Sequence, residues 1–170
     1  ILRPSAGVTG VRIEETGMDS IETLVGSLLV WIASNSAYDT SKINEPDVKL
    51  VSAEEITAEY YSDAPEYAPD DGIDPRIKAL YTPLDGENGT IYLLYTGDPD
   101  ELYDDIATQE ILLHELVHHV QWQTGVADHW RCQNEGELEA YALGAEFLRQ
   151  ESFRDHFLSR RAWAQLYSTC

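Results

Sequence analysis

The chain is 170 residues long, 43% hydrophobic and 25% charged, proportions that suit one soluble globular domain over residues 1–170 and leave little room for a second. Its formal net charge of -20 argues against a nucleic-acid partner, because phosphate neutralisation needs clustered Lys and Arg. Cationic partners or substrates are favoured, although solvated acidic loops explain the charge more simply, and no apolar run approaches the roughly 18 residues of a membrane span.

The opening ILRPSAGVTG begins at Ile1 and lacks the apolar run of a signal peptide, which suggests a trimmed start and an exported protein, secreted or periplasmic. Next, Ile21, Leu24, Val25, Leu28, Leu29 and Ile32 recur at helical spacing, so a core helix is expected from about Met18 to Asn35. VKLVS has the composition of a short strand, and SAEEITAEYY opens with Ser52 and Glu55 at capping-box spacing, the start of a short helix. From Ser62 to Pro75 the chain is rich in Pro, Asp and Gly and reads as a loop. RIKALYT and TIYLLYT flank PLDGENG, whose D-G and N-G pairs signal a hairpin. A long helix is expected from about Pro99 or Asp100 to Thr124, with Gly125 as its stop. After the loop VADHWRCQN, EGELEAYALGAEFLRQESF and RDHFLSRRAWAQLY read as two further helices. The expected class is α+β: mostly helical, with a small antiparallel sheet or hairpin beside the long helix. Cys132 and Cys170 are too few for a disulfide framework and far from any C-x-x-C pairing; they form one disulfide in an oxidising compartment or remain two thiols elsewhere.

The long helix carries the chemistry. EILLHELVHHV, from Glu110 to Val120, sets three histidines and two glutamates in an apolar run, and buried groups of that kind need partners. His114, Glu115 and His118 spell H-E-x-x-H. Residues four apart share a helix face, so His114 and His118 can offer imidazole nitrogens to one Zn2+ ion, while Glu115, turned by about 100°, can reach a water as general base. The bland alternative is a chance pattern with core histidines satisfied by carbonyls. A third ligand weighs against it. A catalytic zinc site takes three protein ligands and leaves a place for water, and NEGELEAYALGAEF offers Glu135, Glu137 and Glu139. Glu137 shares a face with Tyr141, Gly144 and Leu148, where small residues let a second helix approach; Glu135 and Glu139 point roughly the other way. Glu137 is the expected ligand, with Glu139 second.

HELVHH followed by ELEAYALGA resembles the gluzincin branch of the zincin metallopeptidases, in which H-E-x-x-H lies on one helix and a glutamate ligand on the next. Glu137 to Ala145 is similar to the E-x-x-A-D stretch of HtpX-type membrane proteases. The 18 residues between His118 and Glu137 resemble the short connection of thermolysin-like enzymes, and H-E-L-x-H-x-x-Q, ending at Gln121, resembles small bacterial zincin-like domains. The likeness covers about Glu110 to Leu148. It implies a zincin-like domain with zinc on His114, His118 and Glu137, and Glu115 as the base. One departure is Tyr141, which stands where the family has an aspartate that orients the first histidine.

Three functions follow as expectations. The foremost is a zinc-dependent peptidase acting on a peptide or protein substrate, in which zinc activates water and Glu115 moves the proton. The strand TIYLLYT would then be an edge that adds extended substrate, with Tyr92, Leu93, Leu94 and Tyr95 alternating between pocket and core; a wholly buried strand is the alternative. Trp122 and Trp130 could line a pocket. Among His129, Tyr141, His156 and Tyr167, His129 is the first choice as transition-state donor, and His119 reads as a supporting or surface group. The other functions are a zincin-fold binding module without turnover, against which Glu115 counts because a structural site needs no base, and a hydrolase of a nonpeptide amide.

Overall fold

The computed structural model describes residues 18–154 and 160–170. The opening segment on which the export expectation rests, and His156, lie outside the described residues.

The chain begins with a helix, α1 (Met18–Asn35), whose apolar spacing buries Leu24, Val25, Leu28, Leu29 and Ile32. Strand β1 (Asp47–Val51) leads directly into α2 (Ala53–Tyr60). Here Ser52 and Glu55 form the expected capping box: the serine hydroxyl accepts from the Glu55 amide at 3.3 Å, and the Glu55 carboxylate accepts from the Ser52 amide at 2.8 Å. A hairpin follows, β2 (Ala79–Thr82) and β3 (Thr90–Leu94), paired antiparallel from Ala79 opposite Leu93 to Thr82 opposite Thr90.

The sheet differs from the expected antiparallel hairpin in one consequential way. Strand β1 also pairs with β3, in parallel, from Asp47 opposite Thr90 to Val51 opposite Leu94. The order is β1-β3-β2. Strand β3, from TIYLLYT, is therefore hydrogen-bonded on both sides and cannot be the substrate edge; β2 provides the open edge on the side of the long helix. Ile91 and Leu93 of β3 are fully buried. Its reading as an edge strand is thus corrected by a pairing between segments some forty residues apart, for which local sequence carries no signal.

The long helix also starts later than its composition suggests. Pro99–Tyr103 forms a short 3-10 turn, and α3 spans Ile106–Gln123. Asp105 makes the break: its carboxylate accepts from the Thr108 amide at 3.1 Å and from the Thr108 hydroxyl at 2.7 Å, a cap that fixes the first turn. At the other end Gly125 takes a positive φ of 75°, the left-handed conformation that ends helices. A 3-10 turn (Gln133–Gly136) precedes α4 (Glu137–Gln150), and α5 (Arg160–Tyr167) packs on α4. The whole is an α+β fold, mostly helical, with a three-stranded mixed sheet.

Helix α3 is the centre of the core. Leu112, Leu113, Leu116, Val117 and Val120 are all fully buried, against α1 and the sheet on one side and α4 on the other. At about 25 cal/mol per Å² this apolar burial is the main term that holds α3 in place. Cys132 and Cys170 are joined in a disulfide that spans 38 residues and ties the end of α5 to the connection before α4. Among the described residues no helix is long and apolar enough to cross a membrane.

Candidate metal centre

Helices α3 and α4 come together over two small residues. A methyl group added at Gly144 would overlap the Glu110 carboxylate, and one at Gly136 would lie 2.5 Å from the Trp130 ring and 2.7 Å from Gln121 Oε1. Without side chains at these two places, α4 lies close enough for its first residue, Glu137, to reach the imidazoles of α3.

His114, His118 and Glu137 each point one ligand-type atom at a common space, all within 4.8 Å of one another. Glu137 Oε2 is 3.1 Å from His114 Nε2, Glu137 Oε1 is 3.4 Å from His118 Nε2, and the two Nε2 atoms are 3.2 Å apart. Glu139 is not part of this group. Its carboxylate accepts from the Tyr38 hydroxyl at 2.5 Å and from Gln121 Nε2 at 3.1 Å. Glu135 is also turned away and is paired with Arg131.

The tautomer of His118 follows from its neighbours. Gln121 is buried, and its Nε2 donates to two acceptors, the Gly136 carbonyl and Glu139, so its amide oxygen must be the end that faces His118 Nδ1, at 2.9 Å. An amide oxygen only accepts. Nδ1 therefore carries the proton, and in the neutral ring Nε2 turns a lone pair towards His114 and Glu137. Lone pairs and a carboxylate at these separations repel unless a proton or a cation lies between them. In the protein alone the proton fills that role. Burial works against charge on His118, but its contact with Glu137, with the further charge of Glu115, outweighs burial and raises its pKa. Burial likewise pushes Glu137 up, yet the hydrogen bonds from His114 and His118 win and hold its carboxyl down at about 2. Two imidazoles and one carboxylate are also the donor set of a catalytic zinc site, so the residues fit such an ion.

A cleft of two lobes opens on this cluster. Both lobes share Glu115, Glu137, Tyr60 and Ala79 of the β2 edge. The larger, of about 460 Å³, adds His114, Tyr141, Tyr167 and Arg160; the smaller, of about 330 Å³, adds His118, Tyr81, Trp122 and Trp130. Glu115 is half-buried and lines both lobes where they meet.

The remaining sequence candidates divide. Tyr141 lays its ring against that of His114, centroids 4.6 Å apart at 65°; it holds the imidazole by ring contact rather than as the aspartate's substitute. Burial, then the Glu137 charge, push its phenol up to about 12, so it keeps its proton and can donate at neutral pH. Tyr167 lines the same lobe and stacks on Tyr141. His129, the expected transition-state donor, lies exposed on a 3-10 turn and lines neither lobe. His119 is not a surface group. It is fully buried, with Nε2 donating to the Asn44 carbonyl at 2.8 Å and Nδ1 placed to accept from the Tyr81 hydroxyl at 3.1 Å, and burial depresses its pKa. It anchors α3 to the edge strand. Arg160 joins the site without any motif to announce it: its Nη1 lies 2.8 Å from the fully buried Glu110 one turn before His114. A fully buried acid on a helix signals such a partner, but nothing local marks which arginine supplies it.

Fold and site together define an α+β domain with an H-E-x-x-H helix and a glutamate-bearing helix meeting at a shared cleft. The chain belongs to the family described as Domain of unknown function (DUF6647), which it matches over residues 18–169. No curated protein and no solved structure matches it.

Proposed function

We propose that the protein is a zinc-dependent peptidase. The observation that carries this reading is the convergence of His114, His118 and Glu137 within 4.8 Å at the junction of a cleft that Glu115 also lines. His114, His118 and Glu137 would hold the ion in the manner of the gluzincins that the motif resembles. A zinc ion bound there supplies a Lewis acid that polarises the scissile carbonyl and makes water acidic near pH 7. Glu115 takes a proton from the attacking water and delivers it to the amine as the C–N bond breaks, which yields a carboxylate and an amine with no covalent enzyme intermediate. Tyr141, Tyr167 and Arg160 line the larger lobe and would be the donors for the developing oxyanion. The open edge of β2 offers main-chain groups to an extended peptide. The disulfide supports an exported protein, since such bonds persist in oxidising compartments.

Elemental analysis together with cleavage of a mixed peptide library tests the reading. Wild type should hold about one zinc per chain and cleave; Glu115→Gln should hold zinc without cleaving; His114→Ala should lose zinc. Zinc with no Glu115-dependent cleavage would favour a binding module or a hydrolase of nonpeptide amides, and undiminished zinc in His114→Ala would remove the ligand assignment.

A further inference from the structure

The two lobes differ in chemistry, and β2 gives them an order. The strand runs from Ala79 to Thr82. The larger lobe lies at its start, with Arg76 and Lys78 just before it, and the smaller lobe lies at its end, with Leu80, Tyr81 and Pro83. Of only 11 Lys and Arg in a chain of net charge -20, three, Arg76, Lys78 and Arg160, line the larger lobe. They stand against four carboxylates: Asp74, Glu110, Glu115 and Glu137. Two of these are already matched, Glu110 by Arg160 at 2.8 Å and Asp74 by a two-pronged contact from Arg76 at 2.6 and 2.9 Å. Counted over the described lining residues, a divalent ion on the cluster would leave the lobe with one net positive charge. The smaller lobe is walled instead by Trp122, Trp130, Tyr81, Leu80 and Pro83 and, among the described residues, holds no Lys or Arg.

Antiparallel pairing is the more stable of the two strand arrangements. A peptide added in that sense to the free edge of β2 runs opposite to it, so its N-terminal part lies by the tryptophans and its C-terminal part by the cations, with Glu115 between. We propose that the cleft selects peptides with a large apolar residue on the N-terminal side of the scissile bond and a carboxylate on its C-terminal side. This rests on the peptidase reading for the word scissile, but the cleft's polarity is a binding property in its own right. The local charge thus reverses the preference for cationic partners that net charge suggests. The carboxylate can come from an acidic side chain or from a free C-terminus.

Binding to zinc-loaded Glu115→Gln, followed by quenching of the intrinsic tryptophan emission, tests this without turnover. The probes are Ac-Ala-Leu-Ala-Glu-Ala-NH2, its Gln and Lys counterparts, and Ac-Ala-Leu-Ala-Ala as free acid and as amide. The Glu peptide or the free acid should bind about tenfold more tightly than its neutral counterpart, the scale of one charge contact in a partly exposed site. The Glu pair and the free-acid pair separate the two sources of the carboxylate. Lys78→Glu, at an exposed position, should erase the advantage, and exchanging Leu for Ser should weaken every peptide. Equal binding of Glu and Gln forms together with equal binding of acid and amide, tighter binding of the Lys form, or an advantage that survives Lys78→Glu would overturn the proposal. Failure of the peptidase reading would show separately, as absent cleavage by wild type of peptides that the variant binds in the stated order.

Discussion

Gln121 fixes His118. Its buried amide gives both N–H groups to Gly136 and Glu139, which leaves its oxygen to take the imidazole Nδ1 proton at 2.9 Å. The ring is thereby held with Nε2 towards His114 and Glu137, and the same amide reaches the first turn of α4, so one side chain on α3 orients a proposed ligand and registers the helix that carries another. Replacement by Leu removes the acceptor for Nδ1 and the donor to the buried Gly136 carbonyl, while Glu139 keeps the Tyr38 hydroxyl. Zinc affinity of Gln121→Leu should fall by about 10- to 100-fold, the usual effect of losing a ligand's orienting partner, as read by competition with a chromophoric chelator; an unchanged affinity would mean that the ring needs no such support.

Gly144 provides a test with a sign. Alanine in a helix interior ordinarily gains about 1 kcal/mol over glycine, but here the added methyl overlaps the Glu110 carboxylate. That carboxylate is fully buried and ion-paired with Arg160, so it cannot swing aside cheaply. Gly144→Ala should therefore destabilise by about 1–3 kcal/mol, as overpacking does, seen as a lower melting temperature. A rise would show that α4 can back away from α3 at no cost.

What the sequence made legible was local or periodic. The limits of α1, the Ser52 capping box and the hairpin across PLDGENG each depend on residues within a few positions of one another, and all appear as expected. Helical phase separates Glu137 from Glu139 once α4 packs on α3, whereas Glu135 falls in the 3-10 turn before α4 and is set apart by its pairing with Arg131. The parts that escaped are long-range. Strand β3 became central through its parallel pairing with β1, and Arg160 reaches Glu110 across fifty residues of chain. The start of α3 escaped for a different reason: Pro99 and Asp105 are both good helix openers, and only the bonds to Thr108 decide for Asp105.

In the metal-free protein the cluster makes stability depend on pH on both sides. Glu137 is held at about 2 against an ordinary 4.5, a depressed carboxylate, so its contribution is present above 4.5 and is lost as pH falls towards 2. His118 is raised above 6.5, so its contribution is present below 6.5 and fades as pH rises through its folded-state value. Melting temperatures in the presence of EDTA should show Glu137→Gln destabilised relative to wild type near pH 5.5, with the gap closing in both directions. A gap that stays constant from pH 3 to pH 9 would contradict the pairing. Zinc should remove the alkaline loss, because metal binding requires both imidazoles neutral.

The disulfide bears on the cleft as well as on stability. Closing a loop of 38 residues constrains the unfolded chain by about 4 kcal/mol on the loop-entropy estimate, so reduction, or Cys132→Ser with Cys170→Ser, should lower the melting temperature by several degrees. The bond sits at the end of α5, whose Arg160 and Tyr167 line the larger lobe while His114, His118 and Glu137 belong to α3 and α4. Loss of the tether should therefore loosen the cationic end and leave the ligand cluster in place. The double variant should keep its zinc but lose most of the tenfold preference for carboxylate-bearing peptides, read by the same tryptophan quenching. Loss of zinc together with the preference would mean instead that α5 supports the cluster itself, through the stack of Tyr167 on Tyr141 and the contact of Tyr141 with His114.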